Sequence, residues 1–127
     1  ARTVIANQTA DCHIALHWDS TSKDKGAFYM SVPNVASYRN MEPVKSHWQQ
    51  HHALGESLIS GLKSAGVKIF SGGSMEMDLT QTSFSTIPSI DIELGDKTSD
   101  HSGETLDNLA SGLVTGVNQF FAQRTNS

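Results

Sequence analysis

Residues 88–95, Pro88-Ser89-Ile90-Asp91-Ile92-Glu93-Leu94-Gly95, set apolar Ile90, Ile92 and Leu94 in strict alternation with acidic Asp91 and Glu93. A period of two is that of a β-strand, and glycine stops it. The polar residues 96–103 that follow read as a loop. Leu106, Leu109, Leu113, Val117, Phe120 and Phe121 then recur three and four apart, an apolar stripe down one helix. Ser102 stands where an N-cap belongs, and Glu104 lies near the positive end of the helix dipole. Gly112 and Gly116 form a GxxxG pair, but Asn108, Ser111, Thr115 and Asn118 share the helix, which predicts close packing of this helix on a sheet and not a membrane contact.

Upstream, Cys12, Ile14, Leu16 and Trp18 alternate with His13, Ala15 and His17, and both sets contain apolar residues. This predicts an interior strand covered on both faces, with Cys12 buried within it. Residues 1–9 read as the end of a helix, 19–26 as a loop, and 27–32 as a second strand closed by Pro33. Pro43 suits the first turn of a helix in which Val44, Trp48, His51, Leu58, Ile59, Leu62 and Ala65 keep helical spacing until Gly66. Val67 to Phe70 and then Met75, Met77 and Leu79 give one or two strands around Ser71-Gly72-Gly73-Ser74. Strands alternating with helices predict an α/β fold, a mostly parallel or mixed sheet flanked by helices.

A chain of 127 residues holds one domain, 1–127, with a real core. Its 37% hydrophobic and 17% charged residues are ordinary for a folded, soluble protein. With a net charge of -4 and scattered basic residues nothing electrostatic invites a nucleic-acid partner, and no apolar run approaches the roughly 20 residues of a membrane span. Cys12 is the only cysteine, so there is no internal disulfide and no multi-cysteine zinc site. No G-x-S-x-G elbow and no phosphate loop is present.

The candidate chemistry lies at strand ends. His17 and Glu93 each fall near the carboxyl end of a predicted strand and before a loop, where ligands collect in open α/β sheets. An imidazole there is a natural zinc ligand, and a carboxylate beside a metal-bound water is a natural general base. On these two residues alone the structural reading, in which His17 bonds a loop and Glu93 caps a helix or pairs with a lysine, outweighs the catalytic one. His13 shares the face of His17 but lies about 13 Å away along the strand, too far to share a metal. Asp91 is roughly 6 to 7 Å from Glu93 on the same face; it either raises the carboxyl pKa of its neighbour or pairs with a basic group from elsewhere. His47 and His51 stand at i and i+4 but lack the glutamate of HExxH, so they read as a partly exposed helix face. Trp18 and Trp48 read as core or as the wall of a saccharide groove.

Taken together, Arg2, Ala6-Asn7, Ala10-Asp11 and Ile14-Ala15-Leu16-His17 resemble the R-x-x-x-A-N-x-x-A-D and S-I-H-x-N passage of zinc-dependent N-acetylmuramoyl-L-alanine amidases, the type 3 family. Residues 88–95 are similar to its P-A-V-L-V-E-x-G strand, and the closing helix is similar to its terminal one. The resemblance implies a peptidoglycan hydrolase, an autolysin secreted to the cell wall of a bacterium or encoded by a phage. Its substrate would be the amide joining N-acetylmuramic acid to L-alanine. By position His17 corresponds to a zinc ligand and Glu93 to the catalytic glutamate, with Zn2+ as cofactor. Trp18-Asp19 replaces the usual Asn after the ligand histidine and Asp96 the usual Phe after Glu-x-Gly, which predicts an altered substrate-facing rim. The family's opening strand, with a G-H-G-G-like loop, and a ligand glutamate on the next helix have no counterpart before His17. This predicts the C-terminal part of a longer catalytic domain, lacking the first strands and completed by an N-terminal segment or chain. The alternative is a non-catalytic amidase-like fragment that binds cell-wall glycan or a partner.

Overall fold

The computed structural model describes residues 2–125. Four strands, β1 (His13–Asp19), β2 (Ala27–Ser31), β3 (Ile69–Glu76) and β4 (Ser89–Asp96), form one sheet in the order β1-β4-β2-β3. β1 and β4 run parallel, as do β2 and β3, whereas β2 meets β4 antiparallel. The sheet is therefore mixed. Helices α1 (Arg2–Thr9), α2 (Ala36–Arg39), α3 (Val44–Ser64), α4 (Thr80–Phe84) and α5 (Gly103–Thr125) flank it. Among the described residues no helix is long and apolar enough to cross a membrane.

The alternation in β4 divides the sheet into two chemically different faces. Ile90 and Ile92 point into the core formed with Ala27 and Tyr29 of the sheet, Leu54, Leu58 and Leu62 of α3, and Leu109 and Phe120 of α5. Asp91 and Glu93, one residue out of phase, belong to the opposite face. α5 opens as its sequence indicates: Ser102 Oγ accepts the Thr105 amide at 3.3 Å, and Glu104 lies in the first turn. α3 ends with Gly66 at φ 83°, where the Val67 amide turns back to the Leu62 carbonyl at 3.0 Å.

Two expectations are corrected and one open alternative is resolved. The GxxxG pair of α5 packs on α3 and not on the sheet: a Cβ at Gly116 would stand 2.7 Å from Leu58 Cα, and one at Gly61 would collide with the Gly112 carbonyl oxygen. β1 is an edge strand among the described residues, with Leu16 54% and Trp18 42% exposed, and Cys12 is half-buried ahead of it. Its two-sided apolar pattern reports affinity for cover, not the presence of cover. Finally, the stretch around Ser71-Gly72-Gly73-Ser74 lies inside one strand. Between the pairs Ala27↔Ile69 and Tyr29↔Ser74 the register slips, and Gly73 at φ 91° and Ser71 at φ 50° absorb the bulge.

Candidate active site

Parallel pairing of β1 with β4 makes His17 and Glu93 direct register partners, one step beyond Ala15 and Asp91. These side chains share the sheet face that the helical core does not use. Across β4 on the other side Glu93 faces Phe28, which is buried against Phe70 at 5.3 Å between ring centres. The expected pair is thus brought together at neighbouring positions. The first contact is made by a residue whose partner sequence reasoning left open: His17 Nε2 lies 2.9 Å from Asp91 Oδ1. The ring of His17 is partly exposed while the carboxylate is buried.

Burial acts first on Glu93, pushing its carboxyl above the usual glutamate range; Asp19 and Asp91 push the same way, and His17 and Lys25 oppose them. Its Oε2 is buried and has no hydrogen-bond partner among the described residues. A carboxylate so placed holds a proton more readily than one in water, as a group that shuttles protons must. Lys25 sits close by, its Nζ 2.7 Å from Asp19 Oδ2 and 5.2 and 5.1 Å from the rings of Phe28 and Phe70. That hydrogen bond from Lys25 holds the Asp19 carboxyl below its ordinary value. Neither Lys25 nor the ring pair was singled out from sequence: Lys25 lies in a loop without periodic signal, and Phe28 and Phe70 meet only because β2 pairs with β3.

Asp96, where the sequence reading places an altered rim, has a buried side chain. It accepts hydrogen bonds from Thr21 Oγ1 at 3.0 Å, the amides of Lys23 and Asp24 at 2.9 and 2.7 Å, and the amide and hydroxyl of Thr98 at 3.0 Å each. Burial pushes its carboxyl up, but these donors outweigh that and hold it well below the usual range. Asp96 therefore ties the loop after β1 to the loop after β4, the two loops that border the site. Trp18 packs on His101 at 4.2 Å on that rim, and Trp48 lies under Arg39 at 3.8 Å, so neither is fully core.

The other histidines stand apart from His17. His51, read from the sequence as part of a partly exposed helix face, is fully buried because α3 turns it against the start of β4, where Nδ1 accepts the Ser89 amide at 2.9 Å. His13 borders a cavity of about 300 Å3 with Arg2, Thr3, Leu79, Thr80, Gln81 and Asp91. Its Nδ1 is buried without a hydrogen-bond partner among the described residues, and burial lowers its pKa. Among the described residues no three His, Cys, Asp or Glu side chains are grouped so as to hold a metal ion. A catalytic zinc needs three protein ligands, so the donor set described here does not by itself fit one.

No family model matches the sequence, and no curated protein matches it. Solved structures do. The apo N-acetylmuramyl-L-alanine amidase Ami1 of Mycobacterium abscessus superposes with a TM-score of 0.72 at 20% identity, over 94% of this chain and 59% of that one. Ami1 of Mycobacterium smegmatis gives 0.75 at 17% identity, over 96% and 59%. The CwlD amidase of Clostridioides difficile, solved in complex with the GerS lipoprotein, gives 0.71 at 17% identity, over 94% and 58%. The chain spans about three fifths of the length of these structures. At such identities the likeness establishes a shared fold.

Proposed function

We propose that this chain is the glutamate-bearing part of a bacterial or phage peptidoglycan hydrolase that cleaves the amide between N-acetylmuramic acid and L-alanine outside the cytoplasmic membrane. The observation that carries the reading is the register pairing of His17 with Glu93 on the face opposite the helical core, in a fold shared with amidases. In this reading Glu93 is the general base: its Oε2, buried and unpartnered, takes a proton from the attacking water and returns it to the departing amine. Burial of that carboxyl, at the register position opposite Phe28, is what lifts its proton affinity. The loops tied by Asp96 border the substrate's approach.

Zinc belongs to the proposal through the resemblance. His17 would be one ligand, and the remaining ligands would come from an N-terminal segment or a separate chain outside the described residues. A zinc ion would supply carbonyl polarisation and an acidified water. The described residues make no complete site, and that favours a second reading: a non-catalytic amidase-like module that binds cell-wall glycan or a partner.

Release of stem peptides from purified peptidoglycan separates the two, with zinc content and intact mass measured on the same preparation. The hydrolase reading expects zinc to be present, Glu93→Gln to lower the rate by about 10²–10⁴-fold with zinc retained, and His17→Ala to lose both zinc and activity. Retention of the wild-type rate by Glu93→Gln would remove Glu93 from its role. Binding to peptidoglycan without any release of peptide would favour the module.

A further inference from the structure

Asp91 is buried on the same sheet face as Glu93, and its Oδ1 lies 2.9 Å from His17 Nε2. A carboxylate has no proton to donate, so the hydrogen on this bond belongs to Nε2. In a neutral imidazole the other nitrogen then carries the lone pair, and the bond at one nitrogen decides which atom the ring offers at the other. Nδ1 of His17 makes no hydrogen bond within the described residues. We propose that Asp91 is a positioning residue, fixing His17 as the Nε2–H tautomer and leaving the lone pair on Nδ1.

The register explains how an acid reaches this ring. Opposite Asp91 on β1 stands Ala15, whose methyl leaves the space diagonal to it open, and His17 is the next residue on that face. A buried carboxylate needs a hydrogen-bonding partner, so the pair holds both side chains in one geometry. The strand motif that residues 88–95 resemble has Leu at the position of Asp91, so the motif does not demand the acid; the geometry of this chain does. The inference rests on the proposed hydrolase only for its consequence, because the tautomer can be observed without turnover.

The test is a long-range ¹H–¹⁵N correlation spectrum of the ¹⁵N-labelled chain at pH 8, where a free imidazole is neutral. In the wild type His17 is expected to show a pyridine-type Nδ1, a pyrrole-type Nε2 and slow exchange of the Nε2 proton with water. Asp91→Leu is expected to move Nδ1 toward the tautomer-averaged position and to speed that exchange. Asp91→Ala serves the same purpose if the leucine variant does not fold. A wild-type ring with its proton on Nδ1, or a wild-type pattern surviving in a folded variant, would overturn the proposal. Glu93→Gln should leave the His17 pattern unchanged while lowering hydrolysis by about 10²–10⁴-fold, so failure of the hydrolase reading and failure of this one are told apart.

Discussion

His51 sits on α3 with its ring fully buried and its Nδ1 accepting the Ser89 amide proton. Burial, with a smaller contribution from His47, lowers its pKa from 6.5 to about 4. The unfolded chain therefore binds a proton between those values that the folded chain refuses. The stability that a neutral His51 lends is fully present above pH 6.5 and declines as pH falls toward 4, by about 3 kcal/mol at about 1.4 kcal/mol per unit. His13, lowered by burial, acts in the same sense, whereas Glu93, raised by burial, acts in the opposite one. His51→Gln keeps an acceptor for Ser89 and removes the titration. Urea melts between pH 7 and 4 are expected to show a shallower loss of stability in the variant, and an unchanged pH slope would show that another group is responsible. The i,i+4 spacing of His47 and His51 was plain in the sequence, yet it carries no information about what faces that side of α3. For the same reason His17 and Glu93 were legible as strand-end residues, while the bond between His17 and Asp91 required knowing that β1 lies beside β4.

α3 and α5 cross with glycine at the contact. Gly61 fits against Gly112, and Gly116 fits against Leu58 and the carbonyl of Ser57, whose hydroxyl donates to the Gly116 carbonyl at 2.7 Å. Ala is the better helix former by about 1 kcal/mol, so substitution in an open helix position should stabilise. At the crossing the added methyl must push two helices apart, and overpacking of this kind costs about 1–3 kcal/mol. Gly61→Ala and Gly116→Ala are thus expected to lower the midpoint of chemical unfolding. Gly103→Ala, at the start of α5 where a Cβ meets nothing within 4 Å, should leave the midpoint unchanged or raise it. Equal effects at all three positions would refute the close-packing account. Periodicity revealed both helices and nearly all of their limits, because a stripe of apolar residues is a local property. It could not show which surface the glycines approach, nor that β3 runs on through Gly72 and Gly73, because a bulge is stabilised by the neighbouring strand and not by its own sequence.

At the scale of the molecule, the sheet is covered unevenly. The interior strands β4 and β2 have neighbours on both sides, while β1 has β4 on one side and, among the described residues, no strand on the other. Of the residues of β1 that share the helix-bearing face, Ile14 is half-buried, whereas Leu16 and Trp18 are exposed. An edge with unpaired amides and carbonyls beside exposed apolar side chains is a template for another strand, and soluble folds usually blunt it with charge or a bulge. Along β1 the register shifts after His17, and the exposed leucine lies ahead of that irregularity. The 127-residue chain studied alone is therefore expected to self-associate, with a weight-average sedimentation coefficient that rises with protein concentration. Leu16→Lys puts a charge on the edge without touching His17, Asp91 or Glu93, and should return the chain to a concentration-independent coefficient with its melting temperature nearly unchanged. A wild-type chain that sediments as a monomer across the same range would mean that the edge is already protected. If association occurs but survives Leu16→Lys, the contact lies elsewhere on the surface, and the exposed side chains of α5, Leu106 and Val114, become the next positions to charge.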